Sequence, residues 1–233
     1  MLAYPVSDKP INYDNKISMQ PKLDGVRCVI QAERDFPGTN LASVTVKAYS
    51  RTGKEWKNID HILFNLVPFF QKHPNIILDG ELYNHDFKDD FEQIISMVRK
   101  TKPTDEDRLK SDENVQFHCY DMIMENMPFE ERYRFIVDNL RDSYCVRTVH
   151  TISDIRHKYD ATDIHQGNLS EGYEGSILRT NDMYQCKRSH SLIKFKDFSD
   201  AEATIIGYVD GKGKREGTLG KFLMRDDDGI EFG

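Results

Sequence analysis

The sequence predicts a mixed α/β or α+β domain over roughly residues 1–198, followed over 199–233 by the start of a β-rich second domain. Three observations carry this expectation. Apolar residues recur three or four positions apart in some stretches, whereas other stretches are short runs rich in β-forming residues. No internal repeat is visible, which removes solenoids and propellers. After Asp200 the pattern changes to two apolar runs flanking Gly211–Gly220, a segment with four glycines.

Three stretches read as helices. Ile59, Ile62, Leu63, Leu66 and Val67 make one apolar face, which Pro68 is expected to interrupt. Phe87, Phe91, Ile94, Ile95 and Val98 make a core helix over Phe87–Val98 with a solvated acidic face. Phe129, Tyr133, Ile136, Val137 and Leu140 make the third. Strands are expected at Val26–Gln31, Val44–Tyr49, Asn75–Leu82, Val115–Met122, Gly175–Leu178 and Leu192–Phe195. In the second domain they are expected at Ala201–Val209 and Lys221–Met224. Thr101–Asn114 is polar, contains Pro103 and lacks periodicity, so it reads as a surface loop.

Composition narrows the function classes. At 38% hydrophobic and 30% charged, the 233 residues can bury a core and are not a disordered tail. No apolar run approaches the roughly 18 residues of a membrane span, and MLAYPVSDKP lacks the regions of a signal peptide, so no membrane partner is expected. Cys28, Cys119, Cys145 and Cys186 form no CxxC pair, which excludes a zinc cluster and points to a reducing cytoplasm. The net charge of −7 argues against nucleic acid for the chain as a whole. Local charge differs. Lys187–Lys196 carries four basic residues and no acid, and Asp210–Arg225 carries five basic against two acidic; Asp86–Glu113 carries six basic against nine acidic. Gly211–Gly220 is not a P-loop, because Gly217 is followed by Thr218-Leu219. The eight histidines show no metal-ligand spacing.

The chemistry-bearing residues sit at strand ends. Pro21-Lys22-Leu23-Asp24-Gly25-Val26-Arg27 places a lysine before a glycine and a β run, where Gly25 permits a tight path into a pocket. A lysine becomes a nucleophile only as the neutral amine. A lone match of this kind is usually a solvated turn lysine, so its company decides. In Leu78-Asp79-Gly80-Glu81-Leu82 the two carboxylates lie two apart and share a strand face. Tyr120-Asp121 ends another run, and Glu174 stands at the mouth of Gly175-Ser176-Ile177-Leu178-Arg179. In Leu192–Lys196 alternation sends Lys194 and Lys196 one way and Ile193 and Phe195 into the core. This set suits metal-assisted attack on a phosphoanhydride: lysines neutralise phosphate, carboxylates hold Mg²⁺ or a ribose hydroxyl, and an aromatic stacks on a base.

In this order PKLDGVR, LDGEL, CYDMI, EGSILR and LIKFK resemble motifs I, III, IIIa, IV and V of the covalent nucleotidyltransferase superfamily of DNA ligases, RNA ligases and mRNA capping enzymes. The resemblance spans residues 20–196. It implies an adenylation domain of antiparallel sheets with flanking helices, then an incomplete OB-fold domain. An OB barrel needs five strands, and 199–233 allows about three, so the expectation is a truncated barrel. Ser50-Arg51-Thr52-Gly53 resembles the ligase segment whose arginine holds a nick 5′-phosphate, and the glycine run at 211–220 resembles the start of a ligase OB domain. These details favour an ATP-dependent DNA ligase of the compact viral or phage type. Lys22 comes too early for a preceding DNA-binding or NAD-specific domain.

The resemblance implies the following roles. Lys22 forms a lysyl–AMP phosphoramidate from ATP. Gln20 lies near the adenine edge, Arg27 and Glu81 face the ribose, and Tyr120 stacks on adenine. Glu174 binds Mg²⁺, with Glu81 as a second carboxylate, and is preferred over Glu171 because an apolar strand ending in Arg179 follows it. Lys194 and Lys196 contact the α-phosphate. Arg51, Lys212, Lys214 and Arg215 contact DNA phosphates. His118 and Trp56 read as a plain strand histidine and as packing near the Arg51 loop. Glu33–Asn40 reads as a hairpin connection, with a DNA-facing loop as the alternative. The implied partner is nicked duplex DNA, bound by a monomer in the cytoplasm (the host's, if the source is viral). An RNA ligase and a nick-binding module without turnover remain the alternatives.

Overall fold

The computed structural model describes residues 1–6, 11–34, 44–196 and 202–233. It divides into two units, Met1–Lys196 and Asp197–Gly233. The expected boundary between 198 and 199 lies outside the described residues, as do 35–40 of the Glu33–Asn40 connection and Ala201.

The first unit is built on two sheets. In chain order its strands are β1 (Leu2–Pro5), β2 (Ile17–Lys22), β3 (Val26–Arg34), β4 (Val44–Tyr49), β5 (Ile77–Tyr83), β6 (Gln116–Met122), β7 (Val146–Thr148), β8 (Gly175–Thr180) and β9 (Arg188–Phe195). Its helices are α1 (Asp60–Lys72), α2 (Phe91–Val98), α3 (Asp105–Asn114), α4 (Phe129–Asn139) and α5 (Lys158–Ser170). A five-stranded sheet has the order β4-β3-β5-β6-β7, and a four-stranded sheet the order β1-β9-β8-β2. Both are antiparallel except for one edge pair each: β6–β7 and β1–β9 run parallel. The first follows from α4, which carries the chain back to the start of β6, as a parallel pair requires.

The main core lies where Ile30, Leu78, Leu82 and Phe117 of the five-stranded sheet meet Ile62, Leu66 and Phe70 of α1 and Ile94 and Val98 of α2. A second core packs Ile17, Met19 and Leu178 against Ala161 of α5, with Ile193 and Phe195 alongside. The alternation expected for β9 is therefore present.

Several elements depart from expectation for identifiable reasons. Helix α1 continues through Pro68 to Lys72. Pro68 and Phe64, four residues earlier, are exposed, so water can satisfy the carbonyl that proline leaves unpaired. Phe69 and Phe70, beyond the proline, are buried and hold the last turn in place. The expected helix Phe87–Val98 is split into a 3-10 turn, His85–Phe87, and α2. The expected loop Thr101–Asn114 contains α3, which starts at a capping box. Thr104 Oγ1 accepts from the Asp107 N–H at 3.2 Å, and the Asp107 carboxylate accepts from the Thr104 N–H at 3.0 Å. Strand β2 shows no alternation because its first four residues are all buried, and Pro21 fits because β2 is a sheet edge.

The second unit is an antiparallel meander of β10 (Thr204–Asp210), β11 (Leu219–Arg225) and β12 (Glu231–Phe232). A 3-10 turn at Gly213–Arg215 lies in the glycine-rich connection. All four cysteines are free thiols, and no helix among the described residues is long and apolar enough to cross a membrane.

One buried charge cluster ties the two sheets of the first unit together. Asp121 on β6 is fully buried. It accepts from Arg132 Nε on α4 at 2.8 Å and from Arg179 Nη1 on β8 at 2.8 Å. Removing one partner of such a group leaves unpaired charge in the interior. Asp121→Ala is expected to destabilise the fold by about 3–5 kcal/mol, read by denaturant unfolding. A loss below about 1 kcal/mol would show that the cluster does not hold the sheets.

Candidate active site

A cleft of about 660 Å³ opens in the first unit, lined among others by Gln20, Lys22, Arg27, Glu81, Tyr120 and Lys194. Strands from both sheets thus converge on it. Two glycines allow the close approach. At Gly25 a Cβ would meet the Leu82 carbonyl oxygen at 2.4 Å and Glu81 Cγ at 2.7 Å, so only glycine lets the turn after Lys22 press onto β5. At Gly175, with φ +149°, a Cβ would meet the Phe195 carbonyl oxygen at 2.2 Å. The start of β8 therefore abuts the end of β9, and Lys22 pairs in register with Gly175.

This packing brings two of the expected lysines onto one carboxylate, Glu174. Lys22 Nζ donates to Glu174 Oε2, and Lys196 Nζ donates to Glu174 Oε1 at 2.6 Å. Lys194 lines the cleft from β9 and has no ion pair among the described residues. Glu171 does not join them: it caps α5, its side chain is exposed, and its carbonyl accepts from His85 Nε2 at 3.0 Å.

A second cluster holds Arg27. Its Nε donates to Asp79 Oδ1 at 2.9 Å and its Nη2 to Asp79 Oδ2 at 2.8 Å. The Tyr184 hydroxyl donates to Asp79 Oδ2 at 2.7 Å. Asp79 and Glu81 both line the cleft, as two residues on one strand face should.

With this geometry in place, comparison with known proteins is decisive for the family. Residues 1–196 match the ATP dependent DNA ligase domain. The chain belongs to that family. The DNA ligase of an African swine fever virus isolate from South African ticks is 26% identical over 215 residues, 86% of this chain and 46% of the viral protein. The chain thus spans less than half the length of that relative. Among solved structures, a Lig E DNA ligase aligns with a TM-score of 0.73 at 24% identity, covering 99% of this chain and 81% of the other. The Chlorella virus DNA ligase-adenylate aligns with a TM-score of 0.59 at 22% identity, covering 99% and 81%. Both share the fold.

The other residues expected at the site take varied places, in the cleft, at its rim and away from it. Gln20 lines it, but its amide is committed: Nε2 donates to Thr151 Oγ1 at 2.8 Å and to the Tyr120 carbonyl at 3.1 Å, while Oε1 accepts from Arg179 Nε at 2.7 Å. The Arg179 guanidinium lies over the Tyr120 ring, 5.4 Å from its centroid. Arg51 is exposed at the cleft rim, in a turn closed by Gly53 N–H donating to the Ser50 carbonyl at 2.9 Å. Trp56 packs nearby. His118 is a strand histidine whose pKa burial lowers to about 4, and it does not line the cleft. Lys212, Lys214 and Arg215 are exposed in the second unit. Sequence reasoning did not assign Asp79, Tyr184, Arg99 or Arg188, all near or lining the cleft. Arg188 was legible only as part of the Lys187–Lys196 basic run.

The electrostatics separate the carboxylates. Burial raises the Glu81 pKa to about 8; Lys22 pulls it down and Asp79 pushes it up. Burial, then the Glu174 charge, raises Asp24. Burial would raise Glu174 too, but hydrogen bonds from Lys196 and Lys22 hold it below the usual carboxylate value. Among the described residues no three His, Cys, Asp or Glu side chains form a metal cage. Mg²⁺ needs none, since it keeps waters and uses one or two carboxylates together with substrate phosphates. Glu174, held in its ionised form, supplies hard oxygen donors of that kind, and Glu81 does so once it gives up its proton, so the residues fit Mg²⁺ arriving with a nucleotide.

Glu81 gives the cleft a pH signature. Its folded pKa of about 8 exceeds the ordinary 4.5, so the folded state holds the proton more tightly. Its contribution therefore falls as pH rises from about 4.5 to 8. Glu81→Gln should match the parent in stability near pH 4 and exceed it by about 4 kcal/mol at pH 8. Thermal unfolding of both chains across that range checks this.

Proposed function

We propose that the chain acts as an ATP-dependent DNA ligase that seals 5′-phosphate/3′-hydroxyl nicks in duplex DNA through a lysyl–AMP intermediate. The observation that carries this reading is the Lys22–Glu174–Lys196 cluster, whose Lys22 lines a cleft together with Lys194, Arg27, Glu81 and Tyr120.

Attack requires Lys22 to leave Glu174 and lose a proton, so that its nitrogen lone pair reaches the ATP α-phosphorus. The N–P bond forms as the bond to the pyrophosphate oxygen breaks. Lys194 and Lys196 neutralise the charge that builds on the α-phosphate oxygens. Glu81 and Arg27 face the ribose, and Tyr120 supports the base. AMP then passes to the DNA 5′-phosphate, freeing the lysine, and the 3′-hydroxyl displaces AMP. Mg²⁺ held by Glu174 with Glu81, when bound, supplies Lewis-acid neutralisation of phosphate charge.

Arg51 and, in the second unit, Lys212, Lys214 and Arg215 bind DNA phosphates. That unit is read as part of an OB-fold. The chain is proposed to act as a monomer. The free thiols suit a reducing compartment such as the cytoplasm.

Incubation with α-labelled ATP and Mg²⁺, then with a nicked duplex carrying DNA or RNA at the 3′-hydroxyl, tests the reading. The parent chain should form a covalent adenylate and seal the DNA nick. Lys22→Ala should form none, and Lys196→Ala should slow adenylation by about 10²-fold. A covalent adenylate on Lys22→Ala would refute the assignment, and sealing confined to RNA would refute the DNA preference.

Binding to the nicked duplex should weaken steeply with salt despite the net charge of −7. Replacing Lys212, Lys214 and Arg215 together by alanine should lower the slope of log affinity against log salt by about 2.7, read by anisotropy titration.

A further inference from the structure

Arg27 is useful to a nucleotide only if its guanidinium is held in one place, and the structure shows what holds it. Tyr184 lies in the turn between β8 and β9, outside every motif of the family resemblance, and is 4% exposed. Its hydroxyl donates to Asp79 Oδ2 at 2.7 Å and accepts from Arg27 Nη2 at 3.1 Å and from the Met1 amine at 2.6 Å. One donor and two acceptor positions are all that a hydroxyl has. Asp79, 2% exposed, also accepts from Arg27 Nε and Nη2.

Guanidinium has five N–H groups. Among the described residues, Nε and both Nη2 hydrogens meet Asp79 and Tyr184, and one Nη1 hydrogen meets the Met1 carbonyl. One N–H remains, on a residue that lines the cleft. Without the Tyr184 hydroxyl, Nη2 loses a partner and Asp79 loses a donor. The fork then gains freedom to rotate about the Asp79 carboxylate.

We propose that Tyr184 is a positioning residue for nucleotide binding: with Asp79 it locks Arg27 so that the remaining guanidinium N–H meets the bound nucleotide in a single geometry. This rests on the reading of the cleft as an ATP site. The Tyr184 ring has a separate task. It packs with Met1 and Leu192, and the Arg132 guanidinium lies over it at 5.5 Å. Tyr184→Phe keeps that packing and removes only the hydroxyl.

The test is self-adenylation kinetics of the parent and Tyr184→Phe chains, together with equilibrium ATP binding in a Lys22→Ala background. Tyr184→Phe should raise the KM for ATP about 10-fold, a ground-state binding loss, with kcat changed less than about 2-fold. ATP binding in the Lys22→Ala background should weaken by the same factor. In an Arg27→Lys chain, which lacks the fork, Tyr184→Phe should add no further loss. A purely structural role would instead lower the active fraction, so that apparent kcat falls at unchanged KM, and that result overturns the proposal. ATP binding that Tyr184→Phe leaves unchanged overturns it as well, with the ATP-site reading intact. No ATP binding by the parent would overturn both.

Discussion

The first unit depends on Asp121. It sits on β6 directly opposite Asp79 of β5, two acids facing each other across neighbouring strands, an arrangement that repels unless each charge is met. Each is met from a different direction. Arg27 of β3 answers Asp79, whereas Arg132 of α4 and Arg179 of β8 answer Asp121. Arg179 belongs to the other sheet, so neutralising Asp121 also fixes how the sheets meet. Arg179 then donates to Gln20 on β2 and lies over Phe129 at 4.7 Å, which extends the grip to α4 and to the strand that ends in Lys22. A hydrophobic contact at this point would hold the layers with less directional control. The bidentate forks instead fix angle as well as distance.

The same logic, closer to solvent, assembles the lysines. Two neighbouring ammonium groups, of Lys22 and Lys196, repel, and Glu174 is the carboxylate between them. Its placement needs no side chain at Gly175, because the Phe195 carbonyl occupies the space a Cβ would take. Gly25, three residues after Lys22, and Gly175, next to Glu174, are thus steric requirements of bringing β2, β5, β8 and β9 to one point.

This explains which parts were legible in the sequence. Lys22, Glu174 and Lys196 were readable because each lies beside a glycine or in an alternating strand whose pattern dictates direction. Strands β3 to β6 of the five-stranded sheet were readable for the same reason, whereas the three-residue β7 is too short to show a pattern. Strand β2 was not, since burial on both faces erases alternation, and α5 was not, since only Ala161 and His165 of its thirteen residues are buried. Helix α3 carries its signal in Thr104 and Asp107 at the cap, not in an apolar face. Gln20 was readable as a cleft residue but not as one whose amide is already bonded, because Thr151 and Arg179 are far away in sequence. Asp79 and Tyr184 were missed as a pair for that reason too.

Charge accounting then resolves the conflict between an acidic chain and the anionic substrate proposed for it. Asp79, Asp121 and Glu174 are each matched by cations inside the unit, so they add little negative potential to the cleft. Glu81, with a pKa near 8, is mostly protonated at neutral pH and adds little more. By contrast, Arg51, Arg99, Arg188 and Lys194 line the cleft without a carboxylate partner among the described residues. Much of the excess acid lies elsewhere, on α3 and the segment before α2, where it is solvated and screened within about 10 Å at ordinary ionic strength. A phosphate approaching the cleft therefore meets the unmatched arginines and lysine before it meets the sum of the chain.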